Sequence, residues 1–227
     1  MDIVKKLVLI GGGYDIPTME GQINLLNETK EIDKEIVRLS GKKNPKFLFI
    51  SIASRYPNEY FLSIKKIYDR LGCVVSHLDT NQNYDKIAKD MLDTDIIYIG
   101  GGNFERLMNN LKETGIDKLL IRAYNNWILC SWFSSGSYCR FKYNYDLVEW
   151  MGVLNAINCA HYEQKQKEQK EKFYNVVKEK KLVWYGLDNC TALEIVDDKV
   201  KAIRSSNERH VYKITYVDND IIEEEIV

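Results

Sequence analysis

The run Ile96-Ile97-Tyr98-Ile99-Gly100-Gly101-Gly102-Asn103 decides how this chain folds. Four apolar residues without alternation are typical of a parallel strand that helices cover on both faces. Three glycines end the strand, and residues 104–108 have the character of a helix. A strand, a glycine turn and a helix in this order form one unit of a parallel α/β sheet.

The same unit recurs along the first two thirds of the chain. Further apolar runs occupy residues 7–10, 47–52 and 127–130, and residues 32–39, 61–71 and 84–91 carry apolar positions at helical spacing. Strand and helix therefore alternate from residue 1 to about residue 145. This order predicts an α/β fold with a doubly wound, mostly parallel sheet, helices on both faces, and an active site at the carboxyl ends of the strands.

The pattern changes after about residue 145. Residues 163–181 predict a highly charged helix, and residues 192–196, 200–204 and 211–217 predict short strands. Asp197 and Asp198 form the expected turn between the first two of these strands. The sequence thus predicts a C-terminal antiparallel hairpin with a structural role.

Composition limits the classes of function. The 227 residues are 45% hydrophobic and 29% charged, which fits one globular domain over residues 1–227. The net charge of -1 lacks the basic excess of a typical nucleic-acid-binding protein, so no nucleic acid is expected as a partner. No apolar run reaches the roughly 20 residues of a membrane span, and no signal segment is evident at residue 1. We expect a cytoplasmic protein without a membrane partner.

The cysteines predict free thiols. Their number is odd and no C-x-x-C pair occurs, which fits neither a disulfide framework nor a zinc site: Cys73, Cys130, Cys139, Cys159 and Cys190. No metal or cofactor is therefore expected.

Two glycine turns follow predicted strands. Gly11-Gly12-Gly13 lacks the last glycine of G-x-G-x-x-G, because Ile16 stands there, so the interpretation is a tight turn beside the site. At Gly100-Gly101-Gly102, backbone N–H groups without Cβ obstruction are suited to an oxyanion. Asn103 is a candidate for substrate contact, and a helix N-cap is the alternative that stays open.

The loop 132–137 is the candidate for a nucleophile. Ser134 on a sharp strand-to-helix turn would expose its Oγ, and the N–H of Ser135 would then face the oxyanion. The match to G-x-S-x-G is partial because Trp132 occupies the first glycine position. An ordinary Ser-Gly turn is the alternative reading of this loop.

A serine nucleophile needs a base, and the chain has three histidines. His210 falls among the late strands, far in pattern from the carboxyl edge of the sheet. His77 and His161 each follow a strand-like run, and spacing does not choose between them.

Five motifs in order resemble peptidase family S51, which includes dipeptidase E and cyanophycinase. The resemblance covers nearly the whole chain, and the motifs that carry it are residues 7–13, 96–103, 134–137, 160–162 and 187–193. The resemblance implies a class I glutamine-amidotransferase-like sheet and a serine nucleophile in a G-x-S-A-G-A elbow.

By this resemblance Ser134 is the nucleophile and His161 is its base. Gly101, Gly102 and the N–H of Ser135 would form the oxyanion hole. The third triad member would be Asp146, with Glu149 as the alternative.

The chain departs from the family pattern at two places. Trp132 replaces the elbow glycine, so its indole is expected to line or to plug the mouth of the site. The arginine that follows the H-Y pair in dipeptidase E relatives is missing, and Lys170 is the candidate cation for a substrate carboxylate, without the arginine fork.

We expect a serine peptidase for short peptides; the alternative is a catalytically impaired relative that acts as a binding or scaffold protein. Monomer and homodimer both stay open.

Overall fold

A computed structural model describes residues 4–13, 28–138, 141–143, 154–197 and 199–227. The strands are Lys6–Ile10 (β1), Lys46–Ile50 (β2), Val74–His77 (β3), Ile96–Ile99 (β4), Leu129–Phe133 (β5), Phe141–Tyr143 (β6), Leu154–Ala160 (β7), Val183–Leu187 (β8), Thr191–Val196 (β9), Lys199–Arg204 (β10), Val211–Val217 (β11) and Asp220–Glu225 (β12). The helices are Lys30–Ser40 (α1), Pro57–Arg70 (α2), Tyr84–Leu92 (α3), Phe104–Thr114 (α4), Ile116–Asn125 (α5), Ser135–Tyr138 (α6) and Lys167–Lys180 (α7).

The larger sheet has the strand order β10-β9-β1-β5-β4-β2-β3. Its five strands β1 to β5 run parallel, whereas β9 pairs antiparallel with β1, and β10 antiparallel with β9. The mostly parallel sheet predicted from the apolar runs is therefore confirmed. The predicted hairpin of residues 192–204 exists as well, and it forms one edge of this sheet.

Helices cover both faces of the larger sheet. On one face, Ile32 and Ile36 of α1 and Tyr68 of α2 pack with Phe47 and Tyr98 of the strands. On the other face, α3, α4 and α5 contribute buried residues such as Met91, Leu107 and Leu120 to a second cluster. The central strands β1, β2, β4 and β5 are thus covered on both sides, which explains their continuous hydrophobic runs.

A buried carboxyl group lies within the first of these clusters. Asp33 of α1 is 2% exposed, and its two oxygens accept hydrogen bonds from the hydroxyls of Tyr68, at 2.7 Å, and Thr29, at 2.9 Å. Burial raises the pKa of Asp33 to about 6, although both hydroxyl bonds oppose the rise. The folded chain therefore binds a proton at Asp33 at a pH where the unfolded chain does not.

This group should make stability depend on pH below neutrality. Because the folded pKa lies above the unfolded one, the stabilisation from protonating Asp33 is gained as pH falls through about 6 and is absent above it. Between pH 7 and pH 5 we expect wild type to gain about 1 kcal/mol more unfolding free energy than Asp33→Asn. Urea unfolding of both proteins at several pH values measures this, since other titrating groups cancel in the difference. A difference that does not change with pH would contradict the assignment.

A smaller sheet, which the sequence did not predict, has the order β12-β11-β8-β7-β6. Strands β6, β7 and β8 run parallel, and β11 and β12 extend the sheet antiparallel. Residues 211–217 therefore belong to this sheet and not to the predicted hairpin. Helix α7 covers it through Phe173 and Val177, which pack with Trp184.

Several predicted element boundaries are wrong. The strand expected over residues 47–52 ends at Ile50. The helix expected from residue 163 begins at Lys167, because residues 162–164 form a 3-10 turn directly after β7. The strand expected from residue 127 begins at Leu129, because Trp127 lies in a turn with φ 60° and is half exposed. Strand β5 continues to Phe133 and includes Trp132.

No helix in the described part of the chain combines the length and apolar composition that a membrane span requires.

Candidate active site

Ser134 lies at the carboxyl end of β5, where the strand turns sharply into α6. Its φ of 51° is in the left-handed region, which side-chain-bearing residues rarely adopt. The Ser134 N–H donates to the carbonyl of Ile10 at 2.9 Å, so the strained residue is tied to the neighbouring strand β1. The partly buried side chain stands at the carboxyl edge of the larger sheet, in the geometry of a nucleophile elbow.

A buried hydrogen-bond network holds the backbone of the elbow at the Ser134 carbonyl. The Ser137 hydroxyl donates to the Ser134 carbonyl at 2.7 Å and accepts from Asn158 Nδ2 at 2.6 Å. Asn158 lies on β7 and has no exposed surface. The network joins the elbow to the smaller sheet and opposes relaxation of the strained Ser134 backbone.

The structure brings His161, and not His77, to Ser134. His161 follows β7, has a φ of 53°, and donates its backbone N–H to the Gly11 carbonyl at 3.1 Å. Its Nε2 lies 2.7 Å from Ser134 Oγ. A hydroxyl and an imidazole at this separation are within reach for proton transfer.

Asn189 orients the His161 ring from its other side. Its Oδ1 lies 2.5 Å from Nδ1 of His161. An amide oxygen only accepts, so Nδ1 carries the proton and Nε2 of the neutral ring is left to accept from the Ser134 hydroxyl. The predicted third members, Asp146 and Glu149, lie outside the described residues.

Two backbone hydrogen bonds hold the turn that contains Asn189. Asn189 follows β8, its N–H donates to Glu163 Oε2 at 3.0 Å, and the next N–H, of Cys190, donates to the Gly12 carbonyl at 2.8 Å. Sequence reasoning gave Asn189 no role, although it stands in one of the five family-like motifs. The available signal was a polar pair, Asp188-Asn189, between two buried strands.

Gly12 leaves the room that the His161–Asn189 pair needs. Its φ is 140°, and a Cβ there would lie 2.2 Å from His161 Cε1 and 2.6 Å from Asn189 Oδ1. Any side chain at this position would displace the imidazole. A glycine at position 12 of the first turn is therefore needed for the His161 ring to occupy its place beside Ser134.

The surroundings of His161 favour its neutral form. Burial lowers its pKa below the ordinary value, and the positive charge of Lys165 acts in the same direction. The Asn189 hydrogen bond and the negative charge of Glu163 oppose this but do not cancel it. The imidazole consequently remains able to accept a proton at neutral pH and somewhat below.

The second glycine turn lies against the elbow, as the sequence predicts for an oxyanion site. A Cβ on Gly101 would be 3.1 Å from Ser134 Cβ, and one on Gly102, with φ 151°, would be 2.3 Å from the Ala53 carbonyl oxygen. Both N–H groups already have acceptors. Gly101 N–H donates to the Tyr60 hydroxyl at 3.3 Å, and Gly102 N–H to the Ser135 hydroxyl at 3.0 Å.

The predicted substrate-binding residues have other contacts in this structure. Asn103 is the N-cap of α4, and its Oδ1 accepts from the Arg106 N–H at 2.8 Å. Lys170 Nζ lies 3.9 Å from the centroid of the Tyr162 ring, in a cation–π contact.

Trp132 neither lines nor plugs the site. It has no exposed surface and packs in the core cluster on the face of the sheet that α3, α4 and α5 cover. The reason is its place within β5: alternation directs Trp132 to the same face as Cys130. Gly136 of α6 lies above the indole, with its Cβ position 3.5 Å from Trp132 Cε3.

A second serine–histidine pair lies at the end of β2 and β3. Ser51 Oγ is 2.7 Å from His77 Nε2, the same separation as in the first pair. However, Ser51 is only 3% exposed, and the His77 ring stacks on Phe61 with centroids 4.6 Å apart. His210 is elsewhere, with Nδ1 2.9 Å from Glu225 Oε1.

Potential metal ligands do not cluster among the residues that the structure describes. No group of three or more His, Cys, Asp or Glu side chains there is arranged to hold a metal ion.

Comparison with known proteins points to peptidases. The model of peptidase family S51 matches residues 18–203. Over 230 residues the chain is 24% identical to a Bacillus subtilis (strain 168) protein named uncharacterized peptidase YgaJ, covering 97% of this chain and 96% of that protein. A 58-residue segment is 41% identical to uncharacterized peptidase Lin0382 of Listeria innocua, covering 25% of this chain and 28% of the other.

Two solved structures share the fold. A peptidase from an acI-B1 actinobacterium superposes with a TM-score of 0.72 at 17% identity, covering 98% of this chain and 97% of that one. A protein of Listeria monocytogenes EGD-e, termed a putative peptidase E, superposes with a TM-score of 0.66 at 22% identity, covering 89% of this chain and all (100%) of that one.

Proposed function

The chain belongs to peptidase family S51, and from this membership and the geometry of its site we propose that it is a serine peptidase that hydrolyses short peptides. The observation that carries the proposal is the 2.7 Å approach of Ser134 Oγ to His161 Nε2 on a left-handed elbow. The second glycine turn, which lies against this elbow, adds support, because acyl-transfer enzymes use hydrogen-bond donors beside the nucleophile to stabilise an oxyanion.

The proposed reaction is acyl transfer through a covalent intermediate. Ser134 Oγ attacks the peptide carbonyl while His161 Nε2 takes the hydroxyl proton. The imidazolium then protonates the leaving amine, and the peptide C–N bond breaks. Water, deprotonated by the neutral His161, attacks the Ser134 ester and releases the acid, which restores the free hydroxyl.

Asn189 takes the place of a triad carboxylate in this proposal. Its amide oxygen fixes the tautomer and the orientation of His161, which are the geometric tasks of a third triad member. Being neutral, it adds no full charge to stabilise the imidazolium. Among the residues that the structure describes, Lys165 and Glu163, of opposite sign, are the charges that act on the ring.

Selectivity for an amino-terminal aspartate is not part of the proposal. In dipeptidase E relatives an arginine fork suits a substrate carboxylate, and this chain has no arginine in the corresponding segment, residues 163–172. Lys170, the candidate substitute, rests over the Tyr162 ring instead.

Labelling with a fluorophosphonate tests the nucleophile without knowledge of the substrate. We expect one covalent adduct per chain, located on Ser134 by peptide mass mapping, because a fluorophosphonate reacts with an activated serine. Heat-denatured protein serves as the control and should not react. A folded protein that acquires no adduct, or an adduct on a different residue, would contradict the proposal and favour a binding or scaffold role.

A further inference from the structure

The hydroxyl of Ser135 lies where the elbow and the second glycine turn meet. Ser135 is the residue directly after the nucleophile, and its Oγ accepts the Gly102 N–H at 3.0 Å. The side chain belongs to the first turn of α6 and is 7% exposed. The family elbow G-x-S-A-G-A has alanine here, so this hydroxyl is a feature of the present chain.

The Ser135 hydroxyl can also act as a hydrogen-bond donor. A serine Oγ accepts through its lone pairs and also donates one hydrogen. Its bond with Gly102 uses acceptor capacity only, and among the residues that the structure describes no acceptor for the Ser135 hydroxyl proton is found. The proton is therefore available to a ligand that arrives beside Ser134.

The Gly102 amide is committed to this hydroxyl. The Cα of Gly102 packs against the Ala53 carbonyl, since a Cβ on Gly102 would lie 2.3 Å from the Ala53 carbonyl oxygen. The turn therefore has little freedom to redirect the Gly102 N–H. The Ser135 hydroxyl, which the Gly102 N–H holds directly after the nucleophile, is therefore a candidate donor to an oxyanion that forms at Ser134.

We propose that the Ser135 hydroxyl is a catalytic residue that donates a hydrogen bond to the oxyanion. The Gly102 N–H polarises Oγ, and Oγ–H in turn donates to the negatively charged oxygen, while the proton stays on Oγ throughout. Such a chain of donors strengthens each of its bonds. The assignment rests on the proposed serine-peptidase function.

The competing role of Ser135 is to shield Gly102. In that case the hydroxyl occupies the oxyanion position and must leave before the reaction. The buried position of the side chain argues for the donor role, since a hydroxyl that swings away loses its Gly102 bond in a place that water hardly reaches.

Removal of the hydroxyl distinguishes these roles because they predict opposite results. For Ser135→Ala and Ser135→Gly we expect the rate constant of Ser134 labelling by a fluorophosphonate, and kcat for peptides, to fall on the order of 10²–10³-fold, as for other lost oxyanion donors. KM should change little, and affinity for a peptide boronic acid, which forms a tetrahedral adduct, should fall in parallel. Ser135→Thr keeps the hydroxyl and should retain most of the rate.

Ser76→Ala is the matched control, since its hydroxyl bonds only the Phe47 carbonyl at 3.3 Å, on the edge strand β3. It should label like wild type. Equal or faster labelling of Ser135→Ala, with wild type labelled on Ser134, would overturn the donor role and leave the peptidase proposal standing. Wild type that does not label on Ser134 would overturn the peptidase proposal and this inference together.

Discussion

Ser134→Ala is expected to lower kcat for peptide hydrolysis by on the order of 10⁶-fold, because without Oγ no acyl-enzyme forms. The fold should remain intact, since within the described part of the chain the Ser134 side chain hydrogen-bonds His161 alone, and the elbow is held by its backbone and by Ser137. Steady-state assays with a dipeptide library, together with a thermal melt, measure both quantities.

The second serine–histidine pair supplies a matched control for this experiment. Ser51 contacts His77 at the same 2.7 Å, yet it is buried. Ser51→Ala should therefore leave kcat close to that of wild type. If Ser51→Ala abolished hydrolysis while Ser134→Ala did not, the site would have to be moved to the end of β2.

Local patterns were sufficient to predict the larger sheet. Strands β1, β2, β4 and β5 are buried on both faces, so each appears in the sequence as a continuous apolar run. The intervening helices carry one apolar face each. Handedness and adjacency rules for such units then determine most of the topology.

The smaller sheet depends on pairings that no local pattern reveals. Strand β11 pairs with β8, and β8 with β7, across wide gaps in sequence. In residues 211–217 only Val211 and Ile214 are buried, so the segment lacks the alternation that would mark which face of which sheet it covers. In the folded chain Ile214 of β11 packs with Phe173 of α7 and Trp184 of β8, a set of contacts that brings together residues far apart in the sequence.

Long-range contacts also explain what was missed at the site. Asn189 reaches His161 because the turn after β8 binds Gly12 and Glu163, and neither bond is visible in the sequence. The sequence places Trp132 in a loop, because the predicted strand ends at residue 130 and the nucleophile follows closely. Strand β5 continues three residues beyond the predicted end, to Phe133, so Trp132 is a strand residue whose indole is buried in the core and does not block the elbow.

Asn189→Ala should lower kcat by on the order of 10³–10⁴-fold, the loss typical of a third triad member. Without the acceptor at Nδ1, the proton of neutral His161 is free to move to Nε2, where it prevents the ring from accepting the Ser134 proton. Asn83→Ala is the matched control. Asn83 Oδ1 makes one local bond, to the Lys86 N–H at 2.9 Å at the start of α3, so its loss should cost about 1 kcal/mol of stability and no activity.

Asn189→Asp tests how the uncharged amide beside Nδ1 affects the pKa of His161. Activity requires neutral His161, whose pKa burial lowers, so the acid limb of the wild-type kcat/KM profile should have its midpoint below pH 6.5. A carboxylate at Nδ1 stabilises the imidazolium and should move that midpoint upward by about 1–3 pH units. The variant would then be less active than wild type near pH 6 and closer to it above pH 8. An unchanged acid limb in Asn189→Asp would show that a group other than His161 controls the profile, and would remove Asn189 from the site.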